Sequence, residues 1–119
     1  MSGSDSRIRV KEVDGVTQVE FIDRNILDEA NIQAIGEEID RIIADSPAPK
    51  LLISFANVDH LSSAALGTLI TINTKIRNRT GKLCLADIDP QIYEVFVITR
   101  LNQLFDIHES KEAAMKAFV

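Results

Sequence analysis

Ser62 and Ser63 stand just after Asp59 and His60. A hydroxyl close to an imidazole is the pairing from which a serine nucleophile is made. That chemistry also needs an oxyanion hole, and the Gly-x-Ser-x-Gly elbow that supplies one in many hydrolases is absent. His108 is followed by Glu109, but two histidines without further spaced ligands do not spell a metal site. Cys84 lies in an apolar run and reads as a core thiol. The five glycines are scattered, so no loop that could cradle a phosphate is present. The expectation is a chain with no catalytic residues, no metal and no cofactor, which works by binding and not as an enzyme.

The elements that would position these residues can be read from periodicity. Arg7 to Val13 alternates apolar and charged residues, Asp14-Gly15 is a hairpin turn, and Val16 to Ile22 supplies the returning strand. Ile32, Ile35, Ile39, Ile42 and Ile43 then recur at helical spacing, with Asp28 as the expected N-cap and Pro47 and Pro49 as the stop. Leu51 to Phe55 suits a strand covered on both faces.

The segment from Ser62 to Arg79 carries conflicting signals. Thr68, Ile70, Thr71, Ile72, Thr74 and Ile76 are β-branched and favour a strand by propensity. Its length, and the need for a crossover before the next apolar run at Leu83 to Ala86, favour a helix ending at Gly81. Asp89-Pro90 opens a further helix to about Thr99. Leu104 to Ile107 reads as a last strand, and Ser110 as the cap of a final helix. The order β-β-α-β-α-β-α-β-α predicts an α/β fold: a mostly parallel sheet with an N-terminal antiparallel hairpin and about four helices.

This order, together with the stretch Val58-Asp59-His60-Leu61-Ser62-Ser63-Ala64-Ala65-Leu66-Gly67, resembles the STAS domain, and in particular its anti-sigma factor antagonists. That family carries a motif like Asp-Ser-Ser/Thr-Gly-Leu-Gly opening a helix, matched here by Ser62 to Gly67. Leu101 to Phe118 also looks like the family's ending, so the likeness spans nearly the whole chain, a single STAS domain over 7–119 after a disordered tail at 1–6. The resemblance implies an anti-sigma factor antagonist that binds an anti-sigma factor, itself a serine kinase, and is phosphorylated on the serine matching Ser63, with a phosphatase as a further partner. Ser62 replaces the motif's aspartate, Ala64 its second hydroxyl and Ala65 its glycine, while the acceptor hydroxyl is kept. The alternative is a non-phosphorylated STAS interaction module in another bacterial signalling pathway; a lipid or small-ligand carrier is a third class, for which the chain offers no specific feature.

A serine at a helix start is by default an N-cap, and this pair can divide the roles, one capping and the other exposed. Loops at the carboxyl ends of parallel strands gather on one edge of a sheet, so the segments Asp23 to Asp28 and Asn57 to Ser62 should meet there. Asn25, Asp28, Asn57, Asp59, Leu61, Ser62, Leu66 and Thr68 are the expected partner contacts. Asp28 has capping as a rival role, and Asn57 and Asp59 have turn formation.

Bulk properties are consistent with this expectation. The 119 residues are 45% apolar with one cysteine, enough for a core that needs no disulfide. The formal charge of -5 and the absence of a basic stripe exclude nucleic acid as an expected partner. No apolar run approaches the ~20 residues of a membrane helix, and Met1 to Ser6 has no signal-peptide core. A cytoplasmic protein that does not engage membranes is expected.

Overall fold

The computed structural model describes residues 8–22, 25–26 and 29–118. The expected tail at 1–6, Arg7 and the proposed cap Asp28 lie outside them. Strands β1 (Ile8–Val13) and β2 (Val16–Phe21) form an antiparallel hairpin. Asp14 and Gly15 both have positive φ, 52° and 81°, the two-residue turn whose twist matches that of the strands. After β3 (Asn25–Ile26) come α1 (Glu29–Ala44), β4 (Lys50–Ser54), β5 (His60–Leu61) and α2 (Ser63–Asn78). β6 (Lys82–Ala86), α3 (Pro90–Ile98), β7 (Asp106–His108) and α4 (Lys111–Lys116) complete the order.

The main sheet has five strands in the order β1-β2-β4-β6-β7, parallel throughout except for the first hairpin. Each crossover steps one strand in the same direction. Because such connections are right-handed, α1, α2 and α3 all fall on one face. The strand pleat separates two sets of side chains. Val19, Phe21, Leu51, Ile53, Leu83 and Leu85 meet the helices in the larger core, while Val16, Leu52, Cys84 and Ala86 meet Ala114 of α4 on the other face.

α2 is helical although many of its residues are β-branched. Thr68, Thr71 and Thr74 each donate their hydroxyl to the carbonyl four residues earlier, at 3.1–3.2 Å. Leu66, Leu69, Ile72 and Ile76 supply the buried stripe that outweighs propensity. The helix stops differently from expectation. Thr80, at φ 55°, makes the left-handed step that a glycine usually makes. Gly81 is required for another reason: a Cβ there would collide with the Pro49 carbonyl, which accepts the Lys82 amide at 2.8 Å.

Two further differences concern short elements. The apolar pair Leu104-Phe105 precedes the last strand instead of opening it. It follows a 3-10 turn at Leu101–Gln103, and Phe105 is buried edge-on against Phe96 with ring centroids 5.8 Å apart. The two-residue strands β3 and β5 pair in parallel, Asn25 with His60 and Ile26 with Leu61, as a separate small ribbon. At the carboxyl edge of the main sheet, buried Ser54 donates to the Asp87 carboxylate at 2.8 Å, joining the ends of β4 and β6. Among the described residues no helix is long and apolar enough to cross a membrane.

Candidate functional site

β2 and β4 run parallel and end at Phe21 and Ser54, so the segments that follow them emerge on the same edge. The β3–β5 ribbon then fixes Asn25 beside His60 through backbone pairing. Val58 is buried and its amide donates to the Phe55 carbonyl at 3.0 Å, which anchors the turn and leaves Asn57, Asp59 and His60 on the surface. Asn57 Nδ2 reaches the Phe21 carbonyl at 3.4 Å, a long bond between the two segments.

Ser62 and Ser63 take separate positions at the start of α2. Ser62 is the N-cap, extended at φ -82° and ψ 166°, and its hydroxyl accepts the Ala65 amide at 3.2 Å. Ser63 is the first helical residue and is exposed. Among the described residues no hydrogen bond occupies its hydroxyl. The first turn of α2 has no acidic side chain, so its unpaired amides and dipole present a locally positive end.

The expected contact residues do not all reach this surface. Asn57 and Asp59 are exposed, and Leu61 and Ser62 are half-buried. Thr68 is half-buried and turned toward Gly36 of α1. Leu66 does not reach the surface: at 8% exposure it belongs to the core, in the buried stripe that it forms with Leu69, Ile72 and Ile76 of α2. For Asn25 only the backbone is described, and Asp28 lies outside the described residues.

α3, which the sequence reading left out of this surface, borders it. Its run Ile92 to Ile98 has more apolar residues than one helical stripe can bury, and only Ile92 and Phe96 are covered. Tyr93, Val95, Val97 and Ile98 remain exposed, Ile98 by 73%. A shallow cleft joins Asp59, His60 and Leu61 to Gln91, Ile92 and Val95, so the apolar flank of α3 continues the edge that bears Ser63. That excess of apolar positions was legible as a signal.

A second constellation has nothing to do with this edge. Cys84, Asp106 and His108 converge on the face covered by α4, although they are dispersed in sequence. Burial pushes the Cys84 thiol up to about 12, reinforced by its hydrogen bond to Asp106, so it stays protonated.

Comparison with known proteins gives one family. The STAS domain family matches residues 7–114. A curated relative named as an anti-sigma factor antagonist, BtrV of Bordetella bronchiseptica, is 26% identical over 95 residues, covering 80% of this chain and 81% of the relative. Among solved structures, an anti-sigma-factor antagonist (STAS) domain protein from Planctomyces limnophilus superposes with a TM-score of 0.84 at 22% identity, over 92% of this chain and 96% of the other. The Bacillus cell fate determinant SpoIIAA in its phosphorylated form gives 0.71 at 16% identity, over 94% and 99%.

Proposed function

Because this chain belongs to the STAS domain family, we propose that it acts as an anti-sigma factor antagonist: it binds an anti-sigma factor kinase through the edge around Ser63 and is switched by phosphorylation of that residue. The observation that carries the reading is the division of labour between the two serines. Ser62 does the capping, so Ser63 is spared for chemistry with another protein. The similarity to BtrV supports the partner class, and SpoIIAA supplies a phosphorylated protein of the same fold.

The switch follows from charge. A phosphate on Ser63 adds about -1.5 to -2 charge next to the free amides of the α2 N-terminus, which favour an anion. The domain accommodates it without rearrangement. A partner packed on Ser63, Asp59, Leu61 and Val95 would instead meet that charge in a desolvated contact, at a loss of several kcal/mol of binding. A phosphatase resets the cycle, and all of it takes place in the cytoplasm. No part of this scheme asks the chain to catalyse a reaction.

The test is calorimetric titration of the cognate anti-sigma factor with wild-type, Ser63→Ala and Ser63→Asp proteins, alongside intact-mass measurement after incubation with that factor and ATP. Ser63→Ala should bind normally and resist the gain of one phosphate, while Ser63→Asp should bind at least ~10-fold more weakly. Equal binding by all three, with no mass gain in the wild type, would favour the second reading, a STAS interaction module without a phosphoswitch. Ser62, standing where the motif has an aspartate, is the observation in its favour.

A further inference from the structure

Cys84 and Asp106 are register partners on the adjacent parallel strands β6 and β7, and His108 follows Asp106 by one pleat period. All three side chains therefore project to the face covered by α4. Cys84 Sγ lies 3.4 Å from Asp106 Oδ2, and His108 Nε2 lies 3.0 Å from Asp106 Oδ1. The three potential ligand atoms fall within 4.8 Å of one another.

The imidazole is the informative member. Its Nε2 is shielded from solvent and, although close to the carboxylate, makes no aligned hydrogen bond among the described residues. A histidine serving only as a partner for Asp106 would turn its N–H onto the oxygen. Here the buried nitrogen is left unsatisfied 3.0 Å from Asp106 Oδ1, so its lone pair is available to a cation that the carboxylate also faces. We propose that Cys84, Asp106 and His108 form a zinc-binding site, three protein ligands with a fourth position left for water.

Distances and donor types agree with that ion. Bonds of about 2.0–2.3 Å in tetrahedral geometry place ligand atoms about 3.3–3.8 Å apart. Cys84 and His108 approach opposite oxygens of Asp106, so the carboxylate must turn to offer one oxygen to the ion, a rotation compatible with ligand atoms that already lie within 4.8 Å. A mixed sulfur, nitrogen and oxygen set suits zinc and not the all-oxygen shells of calcium or magnesium. Binding displaces the proton of the Cys84 thiol to solvent, and the zinc–thiolate bond replaces the S–H···O hydrogen bond. Lys82 opposes entry: its Nζ lies 3.9 Å from Asp106 Oδ2 and donates to the Ala117 carbonyl at 2.8 Å. Its side chain is 45% exposed and can withdraw into water.

The experiment is a Co²⁺ titration of the full chain without an affinity tag, followed by displacement with Zn²⁺. One equivalent should bind with tetrahedral d–d bands and a sulfur-to-cobalt charge-transfer band, both removed by zinc. Cys84→Ala should abolish the charge-transfer band. His108→Gln, whose unfolding midpoint is measured alongside, should weaken zinc binding at least ~10-fold, and Lys82→Gln should tighten it. An octahedral spectrum without the sulfur band, or an affinity unchanged by His108→Gln, overturns the site.

Discussion

Ser62 accepts the Ala65 amide at 3.2 Å, and Ser63, next in the chain, stands exposed as the first residue of the same helix. Their roles in stability should therefore separate. Ser62→Ala should cost about 1 kcal/mol by loss of the cap, and Ser63→Ala less than ~0.5 kcal/mol. Urea unfolding of the two variants checks this; equal losses would mean that capping is shared.

The end of α2 offers a pair of opposite outcomes. Thr80→Gly relieves a left-handed β-branched residue and should stabilise by ~0.5–1 kcal/mol. Gly81→Ala drives a methyl into the Pro49 carbonyl and should destabilise by ~2 kcal/mol or more. Thermal unfolding should show midpoints moving in opposite directions for neighbouring residues.

Lys111 ties α4 to β2 through Glu20 at 2.7 Å. The bond from Lys111 holds the Glu20 carboxyl below its ordinary value of 4.5, and the same bond holds the Lys111 ammonium above 10.5. A depressed carboxyl stabilises above its unfolded value and loses that contribution as pH falls through the folded one. A raised ammonium stabilises below 10.5 and loses its contribution as pH rises through the folded value. With about a third of each side chain exposed, a double-mutant cycle (Glu20→Gln, Lys111→Met) should give a coupling below ~1 kcal/mol at neutral pH. It should shrink as pH falls below 4.5 and through the lowered Glu20 value, as measured by urea unfolding across a series of acidic pH values.

The apolar flank of α3 should matter to binding but not to folding. Val95 is 39% exposed beside Asp59, His60 and Leu61. Val95→Asp should weaken capture of the anti-sigma factor by ~10-fold or more while leaving the unfolding midpoint within a few degrees of wild type. An unchanged affinity would confine the partner to the Ser63 side of the cleft.

Most of the architecture was legible because its signals were local and mutually consistent. Asp14-Gly15, Asp89-Pro90 and Ser110 each mark an element by turn or cap chemistry that acts within a few residues, and the isoleucine stripe marks α1 by its helical period. α2 required topology to outvote propensity, since burial of Leu66, Leu69, Ile72 and Ile76 against the rest of the core, and not local preference, makes its β-branched segment a helix. What escaped was set by long-range packing. Phe105 looks like a strand residue until Phe96 is seen beneath it. The ribbon of β3 and β5 is too short to have a period. Leu66 faces inward because it shares the helical phase of Leu69, Ile72 and Ile76, a stripe visible in the sequence. Cys84 and His108 could be joined only by knowing that β6 and β7 are neighbours in register.

α4 is six residues long, and among the described residues its Ala114, with Met115, Ala117 and Phe118, supplies the apolar cover of the second sheet face. A segment so short is detachable at a small fraction of the energy needed to melt the whole domain. In the metal-free protein the buried thiol of Cys84 beneath it becomes a timer for reagents larger than an ion. Its rate of capture by an alkylating reagent should count the moments when the last helix lifts away, and should quicken in Lys111→Met long before the sheet itself gives way.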